Sequence, residues 1–385
     1  MSRRKVLHIV TRLDLGGAQQ NTLYTVGHMD PARFEMVLAC GAGGVLDDEA
    51  KSLGVKVRFV EDLVREVSPL RDLTALFQLA QIIREENPDV VHTHSSKAGI
   101  LGRLAARLVG VPYVIHTFHG FGFHDRMNAL VKWVTVGIEK LAAEWSDRLI
   151  FVSKANMETA RELGFVEDGN WSLIRSGVKL SALPAKVDRE AKRRELGVRI
   201  HKPLVIGIGN LKPQKNAEDF LRVAEAALKE VPEACFIYIG DGPLRSKLEA
   251  RIIARGMSGK VKLIGWRRDT AELLAASDVF LSTSLWEGLP RALVEAMKTR
   301  LGCACYAVDG IKDVLQDGVN GYAAPAGDWE RLAAGTISLL KDAGLRERLG
   351  KAAAASIGQE FDIDEMVREQ SRLIDRSFSS SENLH

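Results

Sequence analysis

Two glutamates eight positions apart, in the run STSLWEGLPRALVEAM, are the side chains of this sequence best suited to holding a polyhydroxylated ligand. A carboxylate accepts several hydroxyl hydrogen bonds, and bonds to a charged group contribute roughly 1.5–3 kcal/mol each. Between Glu287 and Glu295 lies the turn Gly288-Leu289-Pro290, and Arg291 opens the helix that carries Glu295. A helix N-terminus offers unpaired amides and the positive end of the macrodipole, so the same turn suits a phosphate. The plainer reading of both acids is helix capping without function.

A second candidate is cationic. The strand-like run PLVIGIG leads into GNLKPQKN, which sets Lys212 and Lys215 in a loop before a helix at Ala217, a clamp for a diphosphate. Read as a dinucleotide fingerprint, Gly207-x-Gly209 fails, because its third glycine position holds Lys212. A third candidate is the pair Gly16-Gly17, after Thr11 and Arg12, where missing side chains let amides approach an anion. Five histidines, His92, His94, His116, His119 and His124, crowd one stretch without an HExxH spacing, so a metal hydrolase is set aside. The acidic pair of Asp362-Ile363-Asp364 reads as helix capping, and no metal or other cofactor is expected.

These residues need a scaffold that brings loop ends together. Apolar, β-branched runs (KVLHIVTRL, FEMVLAC, KVRFV, DVVHTHS, YVIHTFHG, RLIFVS) alternate with helical ones, which predicts a parallel sheet covered on both faces. A second series (PLVIGIG, ACFIYIG, KVKLIGW, DVFLSTS, GCACYAV) repeats the alternation after Pro184 and the charged run DREAKRREL. The expected architecture is two facing doubly wound domains, 1–178 and 179–360. In such sheets ligands bind beyond the carboxyl ends of the strands, which is where the candidates stand.

Length and composition agree. A chain of 385 residues exceeds the roughly 250–300 that one core serves. Apolar content of 46% and charged content of 27% suit a soluble protein, and the N-terminus lacks a secretory cleavage pattern, so a cytoplasmic location is expected. Net charge is +3, and residues 1–178 hold basic and acidic groups in equal number, which argues against a nucleic-acid partner. Cys40, Cys235, Cys303 and Cys305 sit in apolar runs and read as buried reduced thiols. The serine run at 377–381 reads as disordered. The segment RMNALVKWVTVGIEKLAAEW reads as a core-facing helix, with peripheral contact to a bilayer as the alternative.

The segment EGLPRALVEA resembles the Glu-x7-Glu signature of family 4 retaining glycosyltransferases of the GT-B fold. RLDLGGAQQ, the block HTHSSKAGILGRLAARLVGVPYVIHTFHGFGF, NLKPQKN, IGDGPLRSKLE and LIGWRRDTAELLAASDVFLSTS follow in that family's order. The resemblance implies that Glu287 contacts donor-sugar hydroxyls and Glu295 the ribose. Amides at Leu289, Arg291 and Gly17 would hold sugar and diphosphate oxygens. His119, before Gly120, fits the family's active-site histidine better than His116, and Lys212 and Lys215 would neutralise the leaving diphosphate. One departure stands out: Asn210 occupies a position where the family carries arginine, and Lys212 is the substitute at hand. The resemblance also implies that the helix beginning near residue 361, with Met366, Ile374 and Phe378 on one face, crosses back to the N-terminal domain with the tail to 385. The expected activity is transfer of a sugar from a nucleotide-sugar donor to a lipid-linked or oligosaccharide acceptor in envelope polysaccharide synthesis. A nucleotide-sugar 2-epimerase of the same architecture and a non-catalytic sugar-nucleotide sensor are the alternatives.

Overall fold

The computed structural model of the chain describes residues 3–124, 126–166, 169–184 and 187–382. It divides into two compact units, Met1–Gly177 with Ile363–His385, and Val178–Asp362.

The first unit runs β1 (Arg4–Arg12), α1 (Gly17–His28), β2 (Phe34–Gly41), α2 (Asp47–Ser52), β3 (Lys56–Phe59), α3 (Pro69–Glu86), β4 (Val90–His94), α4 (Ser96–Val109), β5 (Tyr113–Phe118), α5 (Ala129–Ala143), β6 (Arg148–Phe151), α6 (Lys154–Glu162) and β7 (Trp171–Leu173). All neighbours in its sheet are parallel, in the order β3-β2-β1-β4-β5-β6-β7. Period-two alternation divides β1 between two cores. Val6 and Val10 join one apolar cluster, and Leu7 and Ile9 join the other, on the opposite face.

The second unit runs α7 (Arg189–Glu195), β8 (Leu204–Ile208), α8 (Ala217–Glu230), β9 (Cys235–Ile239), α9 (Arg245–Ala254), β10 (Val261–Leu263), α10 (Thr270–Ala276), β11 (Val279–Ser282), α11 (Arg291–Lys298), β12 (Gly302–Tyr306), β13 (Tyr322–Ala324), α12 (Trp329–Lys341) and α13 (Ala343–Ser356). Its parallel sheet has the order β10-β9-β8-β11-β12-β13. Each sheet thus reverses direction of growth beside its own first strand, at β1/β4 and at β8/β11. A helix α14 (Ile363–Glu382) then returns to the first unit. The four cysteines are buried free thiols, and desolvation pushes Cys40 up to about 12.

Two expectations need correction. The serine run at 377–381 is not disordered: α14 continues through it to Glu382. Packing explains this, because Ile374 is fully buried in the first unit's core and Phe378 lies edge-on to Tyr113 and under the Arg4 guanidinium. The charged run DREAKRREL folds at the start of the second unit, where Arg189–Glu195 is a helix whose Arg193 is buried and bonded to Asp278. Helix α5 is not core-facing. Its inward positions hold Glu139, Ala142 and Ala143, while Leu130, Trp133 and Leu141 stand out, Trp133 with 73% of its surface exposed. The inward glutamate forms a buried ion pair of 2.9 Å with Arg103 of α4. Among the described residues no helix is long and apolar enough to cross a membrane.

Candidate functional site

At the reversal point of the second sheet, β8 and β11 run side by side and their exit loops are tied together. The chain leaving β8 passes Asn210 and reaches Lys212, which heads the single turn Pro213–Lys215. Asn216, with φ 46°, then turns it into α8. Gly240 allows the neighbouring loop to approach: its φ is 139°, and a Cβ there would lie 1.9 Å from the Gly209 carbonyl oxygen.

From the other side, the Thr283 hydroxyl donates to the carbonyls of Lys215 (3.0 Å) and Asn216 (2.9 Å). The Gln214 amide donates to the Trp286 carbonyl at 2.9 Å, and Leu285 N–H to that of Gln214 at 2.8 Å. This lacing brings the Lys215 ammonium onto the Glu287 carboxylate, with side-chain exposures of 19% and 8%. The Glu287 N–H is held in turn by the Asp309 carboxylate at 2.8 Å, and Asp309 itself has a φ of 34°. Of the two residues expected on opposite parts of a ligand, Lys215 and Glu287, each therefore neutralises the other in this structure.

Gly288 and Leu289 are buried, and Pro290 begins α11 without a side-chain cap, so its first-turn amides gain no side-chain acceptor at that position. Glu295 is partly buried one turn in, and desolvation lifts its carboxyl above the ordinary range against the pull of Arg291. The site in this unit thus combines a lysine–glutamate pair, a helix N-terminus and Lys212.

The reversal point of the first sheet is furnished differently. Gly16 caps α1 in extended conformation, again without a side-chain acceptor. Ser95, after β4, has φ 63° and ψ 160°, a conformation that costs of order 1–3 kcal/mol for a residue with a side chain. Its hydroxyl meets that of Thr11 at 2.7 Å, joining the ends of β1 and β4. Sequence reasoning missed Ser95 and its Thr11 contact, because nothing in the pair Ser95-Ser96 marks which serine carries the strain.

Behind these loop ends lies an array of imidazoles. His8 of β1 is opposite His92 of β4 in register, and strand alternation adds His94. His8 Nδ1 lies 2.9 Å from His94 Nε2, and His94 Nδ1 lies 3.2 Å from His119 Nε2. One ring nitrogen from each of His8, His92 and His94 falls within 4.8 Å of the others. His92 Nε2 is engaged elsewhere, 2.7 Å from the Thr117 hydroxyl. Burial lowers all of these groups, bringing His8 to about 3 and His119 to about 4, with His92 and His94 well below 6.5. His116 faces the other way, 2.8 Å from the Thr93 hydroxyl and edge-on to Phe118. A cavity of about 10 Å³ beside the array is lined by Thr22, Thr25, His94, Thr117, His119 and Gln370. Grouping the histidines by proximity in sequence therefore mixed two faces of the sheet and left out His8.

Two family models match the chain, the glycosyl transferase 4-like domain over residues 16–177 and the glycosyl transferases group 1 over residues 188–356. A UDP-Gal:alpha-D-GlcNAc-diphosphoundecaprenol alpha-1,3-galactosyltransferase of Escherichia coli is 33% identical, over 85% of either chain. An N,N'-diacetylbacillosaminyl-diphospho-undecaprenol alpha-1,3-N-acetylgalactosaminyltransferase of Campylobacter jejuni is 27% identical, over 85% of this chain and 87% of that one. Among solved structures, HepE of Anabaena in complex with UDP and glucose superposes with a TM-score of 0.82 at 20% identity, covering 97% of this chain and all of that one.

Proposed function

Because the chain belongs to the family 4 glycosyltransferases of the GT-B fold, we propose that it transfers a sugar from a nucleotide-diphosphate donor to a lipid-linked or oligosaccharide acceptor in envelope polysaccharide assembly, retaining the donor's anomeric configuration and using no metal. The observation that carries this reading is the laced pair Lys215 and Glu287 at the reversal point of the second sheet. A donor entering beyond the strand ends meets both members: the carboxylate accepts the sugar's hydroxyls, and the ammonium turns to the diphosphate oxygens. Lys212 and the N-terminus of α11 add positive potential where negative charge grows as the glycosidic bond breaks, the electrostatic stabilisation that accounts for much of enzymatic rate. Cationic side chains and backbone dipoles take the part that a divalent ion would otherwise play. Glu295 receives the ribose, Gly16 and Gly17 offer amides to donor oxygens, and His119 borders the reacting sugar.

A diphosphoundecaprenol-linked sugar, as in the names of the two bacterial relatives, is the acceptor class most in keeping with this reading. Such an acceptor is anchored in a bilayer, and the exposed Leu130, Trp133 and Leu141 of α5, with Lys132 and Lys140 beside them, support peripheral contact with the cytoplasmic membrane face. The test is incubation of purified protein with a panel of nucleotide sugars, alone and with polyprenyl-diphosphate sugar acceptors, in excess EDTA. Glycosylated lipid whose new linkage keeps the donor's anomeric configuration by proton NMR is the expected result. An inverted product, loss of turnover on chelation restored by magnesium or manganese, or donor epimerisation without acceptor would overturn the corresponding element.

A further inference from the structure

The imidazoles of His8, His94 and His119 form a hydrogen-bonded chain that starts deep under α1 and ends at the carboxyl end of β5. Two bonds link three rings, and a neutral imidazole carries one proton, so the protons in the chain move together. In one arrangement His8 Nδ1–H donates to His94 Nε2, and His94 Nδ1–H donates to His119 Nε2. His119 then carries its own proton on Nδ1. In the other arrangement every bond is reversed: His119 Nε2–H donates to His94, His94 Nε2–H donates to His8, and the proton of His8 sits on Nε2.

The two ends decide between them. Among the described residues, His8 Nε2 and His119 Nδ1 are both buried without a partner. The reversed arrangement strands an N–H on His8, a residue with no exposed surface, where an unmade donor bond costs about 1–3 kcal/mol and no ligand or solvent can reach it. The forward arrangement moves the unpaired N–H to His119 Nδ1, buried as well but in a residue that keeps exposed surface at the strand end, where ligands bind in this kind of sheet and one can accept the bond. We propose that His94 and His8 are positioning residues that hold His119 as a hydrogen-bond donor through Nδ1, directed at an oxygen of the bound sugar or its diphosphate rather than serving as a base. The proposal rests on the reading of His119 as bordering the reacting sugar. Desolvation along the chain keeps the rings neutral at pH 7, which the tautomer argument requires. His92 supplies an internal contrast: it is as deeply buried and beside both chain members, yet it is bonded to Thr117 and stands outside the chain.

The experiment is nitrogen-15 NMR of histidine-labelled protein at pH 7, with His119 assigned through His119→Gln. A protonated-type Nδ1 and bare-type Nε2 at His119 are expected in the resting protein, independent of any turnover. His94→Phe should release this preference and lower turnover roughly tenfold with little change in donor KM, while His94→Gln, whose amide can still donate, recovers part of both. His92→Gln should leave the His119 signals where they were. A protonated Nε2 at His119, an imidazolium, or equal disturbance of His119 by His92→Gln would overturn the assignment. Stoichiometric zinc bound through His8 and His94 would overturn it too, since coordinated nitrogens cannot pass protons along the chain. Failure of the transfer reaction itself, with the tautomer as expected, would strike only the functional reading above.

Discussion

The two units share one strand order, yet the ends of their strands are furnished in opposite ways. The second unit gathers ions at its reversal point, with Lys215 on Glu287 and Lys212 close by in sequence. The first gathers neutral imidazoles, each pressed below its ordinary range by burial. A charged pair with residual exposure can exchange partners when a charged ligand arrives. A buried neutral network cannot accept charge without large cost, and is suited instead to aiming a bond. On the function proposed above, the same scaffold would serve charge compensation on one sheet and orientation on the other.

The largest expected effects fall on the ionic side. If the leaving group separates beside this pair, Glu287→Gln and Lys215→Ala should each lower turnover by ~10²–10³-fold, and each should also lower the melting temperature, because the remaining, mostly buried charge loses its partner. Steady-state rates alongside thermal melts check this, and near-normal turnover in either variant would erase the contrast between the units. The next effect concerns Asn210. If Lys212 carries the charge that an arginine at 210 would otherwise bring, Lys212→Ala should cost on the order of 10²-fold, and Asn210→Arg in that background should restore part of it through a two-point guanidinium contact. A Lys212→Ala protein with normal kcat would show that Lys215 acts without it.

The smallest effect belongs to the neutral side and is read in stability. An imidazole with a folded value of about 3 or 4, as in His8 and His119, and 6.5 when unfolded binds protons more readily in the unfolded chain. Stability is then complete above about pH 6.5 and falls as pH drops toward 4, by about 2 kcal/mol for each such group at pH 5. The second unit contains one histidine, the exposed His201. Limited proteolysis during heating at pH 7 and pH 5, with fragments mapped, should show the first unit loosening at pH 5 ahead of the second. Equal loss in both would contradict it.

Most strands were legible because buried parallel strands are written as continuous apolar runs, as in DVVHTHS and PLVIGIG. β7 and β13 were not: with three residues each, Trp171–Leu173 and Tyr322–Ala324, they hold too few positions to show a period. At α7 the partner of Arg193 was not legible, because Asp278 lies in a distant segment and only the fold brings the two together. On the site, Glu287 and Lys215 stood out because a motif and its loop chemistry are local. Asp309 did not, since its role is a backbone contact from the loop after β12, and His8 did not, since only strand pairing brings it to His92.

The return of α14 has a consequence for the making of the protein. Ile363, Met366, Val367 and Ile374 fill the core of the first unit, yet they are translated after every residue of the second. At about 5–20 residues per second, the interval between Gly177 and Ile363 leaving the ribosome's catalytic centre is on the order of ten to forty seconds. Throughout that interval Val6, Leu23 and Phe34 lack part of their covering, so a nascent first unit presents a sticky apolar surface just as the second unit becomes able to fold. Chaperone attachment during synthesis should therefore concentrate on the amino-terminal half of the chain and end only when the last helix emerges.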